Sequence, residues 1–512
     1  MSSGTDRALV VLFVAAILLP GALWVGIDQD DGATRRELRR PAVRPEWSWD
    51  APALTAFPKL WEDYFADAFG GRTSLMRAHA VLKWFVFGRS PTEAMTRGED
   101  GWLFLVRERA MAAHRGVATL DAERLEAWRR VLEERRWWLA QRDIPYVFVL
   151  APSKAQVYPE RVPARFTVIG PSPREQFVEH MARYSDFPLT DYFEVLRAEK
   201  EHDRPGDYVF YPLGTHWTSR GALAAYRRIV ADLQSRFGGR FAGLRVPSRE
   251  EVVATPSDEQ GDSWDGRMYL DGFVSQEVWD YGLEERRARR LARGTEGMRT
   301  TTRDTSLPHL LVLHDSFGPA LRSFLPESAE TTVWRNADNF DPRFILDEQP
   351  NAVVQVNVDR LLLRSVTKHS CLLDAEETGR LFEASDRILL RASGAELDAR
   401  GAASVSDLPD GSARLDTVSA EDGALLPGFA LPTHASLIVR IELSRGTAGV
   451  VQVGDATSDS IGGFEARWVA AGRHIVDVHV PAIGFTGRLC VRGDGRASQF
   501  VIHSVEVRAS RF

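Results

Sequence analysis

A serine placed where a buried apolar run ends is a candidate nucleophile. The stretch HLLVLHDSFGPAL at 309–321 puts Ser316 in that position. HLLVL reads as a strand, and Gly318 with Pro319 suits the start of a helix, because proline lacks only an amide hydrogen that the first helical turn does not use. In open α/β sheets, ligands bind beyond the carboxyl ends of the strands. There Ser316 would present its hydroxyl beside backbone N–H groups able to receive the charge of an oxyanion. The plainer alternative is that Ser316 caps the helix. A serine hydroxyl is a weak nucleophile at neutral pH and needs a base. Among the 12 histidines, His216 in YVFYPLGTHWTSRGALAAY stands out. It follows a glycine-bearing turn and precedes a helix that Thr218 or Ser219 can cap. A Ser–His pair of this kind carries out acyl transfer or ester hydrolysis.

Other chemistries find no support. The chain has no His-Glu-x-x-His and no paired-cysteine spacing, so no metal site is expected. It has no glycine-rich phosphate loop and no dinucleotide fingerprint, so no cofactor is expected. The formal net charge is −7, from 64 basic and 71 acidic residues, and no long Lys/Arg run occurs, which argues against a nucleic-acid partner. The two cysteines, Cys371 and Cys490, read as unpaired buried thiols in different domains.

The elements that must hold Ser316 and His216 follow from periodicity. IPYVFVLAPSK (144–154), HLLVLHDS and NAVVQVNV (351–358) are continuous apolar runs, as expected of strands buried on both faces of a parallel sheet. Leu125, Trp128, Leu132 and Leu139 share one helical face, and 218–234 is helical as well. Alternating strands and helices predict an α/β layer fold with right-handed crossovers. Residues 235–305 are polar and irregular; such an insertion covers a substrate or is a surface elaboration. After 385, alternating segments such as ASLIVRIEL and QFVIHSVEVRA predict an all-β sandwich or jelly roll. At the other end, 8–27 is uncharged and of membrane length, with Arg7 before it and Asp28, Asp30 and Asp31 after it. It reads as a single anchor with the main chain outside, a cleaved signal peptide being the rival. The expected domains are the anchor at 1–30, a tether and helical entry segment at 31–97, an α/β catalytic domain at 98–380 and a β domain at 385–512.

GEDGWLFL (98–105), PSKAQVYPERVP (152–163), THWTSRGA (215–222), LHDSFG (313–318) and PNAVVQVNVDR (350–360) come in the order seen in alginate O-acetyltransferases. Residues 51–375 resemble that AlgJ/AlgX-like branch of the SGNH hydrolase superfamily, FADAFGGR (65–72) resembles its entry segment, and the β region resembles a carbohydrate-binding module. The resemblance implies a three-layer α/β/α domain with a central parallel sheet. It implies that Ser316 accepts an acetyl group and that His216 is the general base. The family's Asp, two residues before the histidine, is here Gly214. A Ser316–His216 dyad then suffices, or another carboxylate such as Asp207 or Asp315 approaches in space, or the site is inert. Asp315 joins Ser316 and His216 in the expected catalytic set. Trp217, Lys154 and Arg360 are the candidate substrate contacts. His314 touches substrate or fills space, and Asn336, Asn339 and Asn357 are available as oxyanion donors. The implied activity is a periplasmic O-acetyltransferase acting on an exported polysaccharide. The implied acetyl source is a membrane-bound O-acyltransferase, with the inner membrane held by the N-terminal helix. An acetyl esterase and a vestigial polysaccharide-binding scaffold are the alternatives.

Overall fold

The computed structural model describes residues 3–26, 42–68, 71–244, 246–248, 250–294, 297–336, 340, 342–364, 375–419, 422–430, 437–456, 464–480, 488–493 and 498–510. Its centre is one seven-stranded sheet. The strands are β1 (Tyr146–Ala151), β2 (Thr190–Asp191), β3 (Arg289–Gly294), β4 (Gly297–Thr301), β5 (His309–His314), β6 (Thr331–Asn336) and β7 (Ala352–Val358). They lie in the order β2-β1-β7-β5-β6-β4-β3. The first five in that order are mutually parallel, and β4 and β3 add an antiparallel edge. The three continuous apolar runs of the sequence are thus the three adjacent central strands β1, β7 and β5. Their composition has a simple cause: side chains alternate across a strand, and here both faces are covered. Val147 and Val149 of β1 enter one core, while Tyr146, Phe148 and Leu150 enter the other. Leu310 and Val312 of β5 oppose Leu311 and Leu313 in the same way.

Helices fill both outer layers. On one face α1 (Ala122–Ala140) and α2 (Pro173–Tyr184) supply Trp128, Leu132, Phe177 and Met181. On the other, α3 (Tyr192–Lys200) and α4 (Ser219–Phe237) supply Tyr192, Leu196, Tyr226 and Ile229. The helix starts are written locally. The side chains of Asp121 and Ser172 accept from the N3 amides of α1 and α2, and Ser172 forms a full capping box with Glu175. One feature of α1 escapes its periodicity: Glu126, Arg129, Arg130 and Glu133 are buried along with the apolar face. They neutralise one another, with Arg129 bridging Glu126 and Glu133, and Arg130 also on Glu126. Such charges are tolerated inside only when paired.

The C-terminal region is two antiparallel sheets around one core. The six-stranded sheet contains Leu437–Arg445, Gly472–Val480 and Ser498–Ala509, and the five-stranded sheet contains Gly449–Asp455 and Leu489–Arg492. Val439, Ile441 and Val505 from the first meet Val451, Val453 and Val491 from the second. The module is docked on the α/β domain. Ile438 joins the core beneath α1 and α2. The Arg440 guanidinium bridges Glu383 and Asp477, and Arg508 donates to the carbonyls of Phe382 and Ser385 at 3.0 and 3.1 Å.

The membrane anchor expected over 1–30 is overturned: among the described residues, no helix is long and apolar enough to cross a membrane. The N-terminal helix Ser3–Gly26 carries Asp6 and Arg7 near its start. The inner-membrane attachment and the location built on that anchor fall with it. Residues 27–41, which include the start of the expected tether, and Cys371 lie outside the described residues, while Cys490 is a buried free thiol.

Candidate active site

Ser316 sits one turn beyond β5. The Asp315 amide still donates to Val356 of β7 at 3.1 Å, so the chain leaves the sheet only after it. The Asp315 carboxylate then fixes the turn. One oxygen accepts the Phe317 amide at 2.8 Å and the other accepts the Val358 amide at 2.7 Å. Ser316 is exposed at the apex. The turn leads into the 3-10 helix Gly318–Ser323, at the helix start that Gly318 and Pro319 mark. The amides of Phe317 and Gly318 are both engaged by Asp315, the latter at 3.3 Å to its carbonyl. Among the described residues the Ser316 amide makes no such bond, so it is the donor left for an oxyanion.

His216 stands on the turn before α4. The Tyr211 amide donates to the His216 carbonyl at 3.1 Å, and Thr218 caps the helix. This turn and the serine turn are fastened together by Trp217. Its indole N–H donates to the Phe317 carbonyl at 3.0 Å, so the residue after the histidine bonds the residue after the serine. The His216 and Phe317 rings lie edge to face with centroids 5.1 Å apart. Trp217 is fully buried and T-stacked on Phe317, so the expected sugar-binding face is not offered to solvent.

The carboxylate beside the histidine is Asp262, from the irregular insertion. Its Oδ2 lies 2.8 Å from His216 Nδ1 and also accepts the amides of Thr215 at 2.6 Å and His216 at 3.0 Å. Burial alone would raise the Asp262 carboxyl. The His216 hydrogen bond, the imidazolium charge and the two amides outweigh it and hold the carboxyl well below the usual carboxylate range. An ionised partner at Nδ1 places the imidazole proton there and leaves Nε2 as the basic nitrogen. Nε2 is buried and has no hydrogen-bond partner among the described residues.

Gly214 explains why the acid comes from elsewhere. A Cβ at 214 would lie 2.2 Å from the Asp262 carbonyl oxygen and 2.5 Å from Oδ2. An Asp at 214 and Asp262 cannot share this space. The loop reaches so close because Gly261, at φ +60°, lets the backbone press on the Tyr211 ring, where a Cβ would come within 2.3 Å. Gln276 straps the arrangement, accepting from the Leu213 amide at 2.7 Å and donating to the Asp262 carbonyl at 3.1 Å. Sequence reasoning missed Asp262. The one local signal was the glycine at 214, which implies space for something else.

The remaining candidates are engaged elsewhere. The Asp315 carboxylate is taken up by the Phe317 and Val358 amides. Asp207 accepts the Tyr281 hydroxyl at 2.8 Å and pairs with Arg220. Lys154, expected to reach an anionic substrate, is instead 4% exposed and donates to three backbone carbonyls. Arg360 donates to Glu108 at 2.9 Å with its guanidinium 5.8 Å from the Phe317 ring, so it lies beside the serine turn but is paired. His314 fills space. Its Nδ1 meets the Asp315 carbonyl at 2.6 Å and Arg322 approaches Nε2 at 3.2 Å, while burial pushes its pKa down to about 4. Asn357 accepts from Gln355 at 2.9 Å, Asn336 ends β6 on the surface, and Asn339 lies outside the described residues.

A largely parallel α/β/α sandwich, with a serine past one central strand and a His–Asp pair on a turn that Trp217 ties to the serine turn, has the build of the SGNH hydrolase-like class. The sequence places it further: residues 95–262 match the family described as "SGNH hydrolase-like domain, acetyltransferase AlgX". Residues 95–262 are therefore similar to that acetyltransferase domain. The match includes His216 and Asp262 and stops before Ser316. No curated protein matches the chain by sequence. Among solved structures, the O-acetyltransferase domain of Pseudomonas putida AlgJ is 15% identical, covering 57% of this chain and 99% of that one, with a TM-score of 0.36. Pseudomonas aeruginosa AlgX is 12% identical over 81% and 94%, with a TM-score of 0.33. A carbohydrate-binding module of Cellvibrio mixtus lichenase 5A is 8% identical over 24% and 97%, with a TM-score of 0.20.

Proposed function

We propose that the protein is an O-acetyltransferase that moves an acetyl group, through an ester on Ser316, onto hydroxyls of a polysaccharide. The observation that carries this reading is the bond between His216 and Asp262, which leaves a buried Nε2 without a partner next to the serine turn. Ser316 Oγ attacks the acetyl carbonyl as Nε2 takes its proton, and the Ser316 amide receives negative charge. The donor's C–O bond then breaks, and the leaving oxygen takes the proton from Nε2. In the second half a sugar hydroxyl gives its proton to Nε2 and attacks the acetyl-serine. Collapse of that intermediate returns the proton to Ser316 and releases the sugar ester. Asp262 stays ionised throughout and stabilises the transient imidazolium. The docked two-sheet module holds the polymer and raises its local concentration. By the AlgX-type resemblance, the acetyl source is a membrane-bound O-acyltransferase partner.

The test is turnover of a chromogenic acetyl ester with and without added oligosaccharide. Acceptor-dependent turnover, lost in Ser316→Ala, supports transfer. Turnover indifferent to sugar identifies an esterase, and activity retained in Ser316→Ala overturns the reading.

A further inference from the structure

One of the buried ionisable side chains that the mechanism leaves unused is bonded to the histidine turn. Lys154 opens the short helix Lys154–Val157 just beyond β1 and is almost wholly shielded from solvent. Its Nζ donates to the carbonyls of Tyr211 and Pro212 at 2.9 Å each and of Gly214 at 2.6 Å. These three carbonyls belong to the turn that delivers His216. The next two amides along the chain, of Thr215 and His216, are the ones that donate to Asp262. The segment 211–216 is thus gripped from its carbonyl side by a cation and from its amide side by an anion.

The acceptor count fixes the charge the grip requires. An ammonium has three N–H donors, one for each carbonyl. A neutral amine has two, and its lone pair would face the third carbonyl oxygen. We infer that Lys154 is a positioning residue for the reaction, its ammonium holding the 211–214 turn so that the His216 ring meets Asp262. The inference rests on the proposed roles of His216 and Ser316. The surroundings of Nζ are specific. The Trp102 and Phe104 rings flank it at 5.4 and 5.0 Å. The charge that reaches Nζ is Asp262, and Arg360, paired with Glu108, lines with Lys154 a cavity of about 20 Å³ whose wall includes Ser153, itself bonded to Asp359. Burial pushes the Lys154 pKa down to about 7 and Asp262 opposes the fall, so the grip loosens within an accessible pH range.

The experiment compares Lys154→Met and Lys154→Arg with wild type by the pH dependence of chromogenic acetyl ester turnover and by thermal melting. Lys154→Met removes the charge at similar volume. It is expected to lower kcat about 100-fold, the cost of a misplaced catalytic group, with KM within about twofold. Lys154→Arg stays charged and is expected to lose the alkaline fall of the wild type. A Met variant with unchanged kcat, differing only in melting temperature, overturns the inference. If Ser316→Ala is inactive in the same assay while Lys154→Met is not impaired, this inference alone fails. If Ser316→Ala remains active, the proposed function fails instead. If Lys154→Met does not fold, wild-type lysine Nζ NMR at mildly acidic pH, below the Lys154 value, decides. A protected ammonium signal lost in Lys154→Arg is expected, and its absence overturns the assignment.

Discussion

Asp262 is the residue on which the site turns. With its Oδ2 shared among Nδ1 of His216 and two amides, it sets both the imidazole's tautomer and its orientation. Asp262→Asn keeps the shape but removes the charge. It is expected to lower kcat/KM by about 10³- to 10⁴-fold with little change in melting temperature, as loss of the orienting acid does in serine proteases. The steric clash at 214 gives a second expectation. Gly214→Asp alone drives a side chain into Asp262 and abolishes turnover. Combined with Asp262→Gly, it moves the carboxylate back beside the histidine, and turnover is expected to recover at least about tenfold over either single variant. Turnover of the acetyl ester by the three variants is the check. Ser316 and His216 stand out in the sequence because each is announced by its neighbours: an apolar run before one, a glycine turn and a capped helix around the other. Asp262 lies 46 positions after His216, in a stretch with no periodicity, and only the folded loop brings it in.

At the scale of elements, the site depends on two turns held side by side. Trp217 does this with one hydrogen bond to the Phe317 carbonyl, inside a core that excludes water. Trp217→Phe leaves that carbonyl unsatisfied and opens a gap. A loss of about 2–4 kcal/mol in urea unfolding is expected, together with a fall in kcat larger than any change in KM. Unchanged kcat in a destabilised variant would show that the bond serves folding alone. The central strands were readable because burial on both faces forces continuous apolar runs. The antiparallel edge formed by β3 and β4 was not. RRLARG and GMRTT are polar and short, and they pair only because a hairpin can extend an existing sheet. The helix after Ser316 was readable as a start but not as a type, because Gly-Pro marks where a helix begins and does not choose its pitch.

At the scale of the molecule, the C-terminal sheets and the α/β domain form a shared interior. His479, on the strand beside Ile438, is buried, and its pKa falls from 6.5 to about 4, chiefly through burial and then through the charges of Arg130 on α1 and Arg467. A histidine depressed in the folded state binds its proton more readily when unfolded. Its contribution is therefore full above the unfolded value and is lost as pH falls from about 6.5 toward 4. Between pH 7.5 and 5 this one group is expected to cost about 2 kcal/mol of stability. His479→Leu is expected to flatten that part of the pH dependence in urea unfolding, and an unchanged slope would place His479 in contact with water. The two-region organisation was visible in the sequence as the change from helical to alternating period after 385. The buried Glu–Arg ladder of α1 was not, because a charged helical face reads as solvated until another element covers it. At the N-terminus the reverse happened, and the run at 8–27, read as a membrane span, is not one among the described residues.

The most direct measurement is to react the protein with an activated acetyl ester, quench it in acid and map the acetyl group by peptide mass spectrometry. One acetyl group is expected on the peptide bearing Ser316, with its formation slowed in His216→Ala and in Asp262→Asn. An acetyl group on any other residue, or labelling of Ser316 at an undiminished rate without His216, would contradict the proposed acyl transfer.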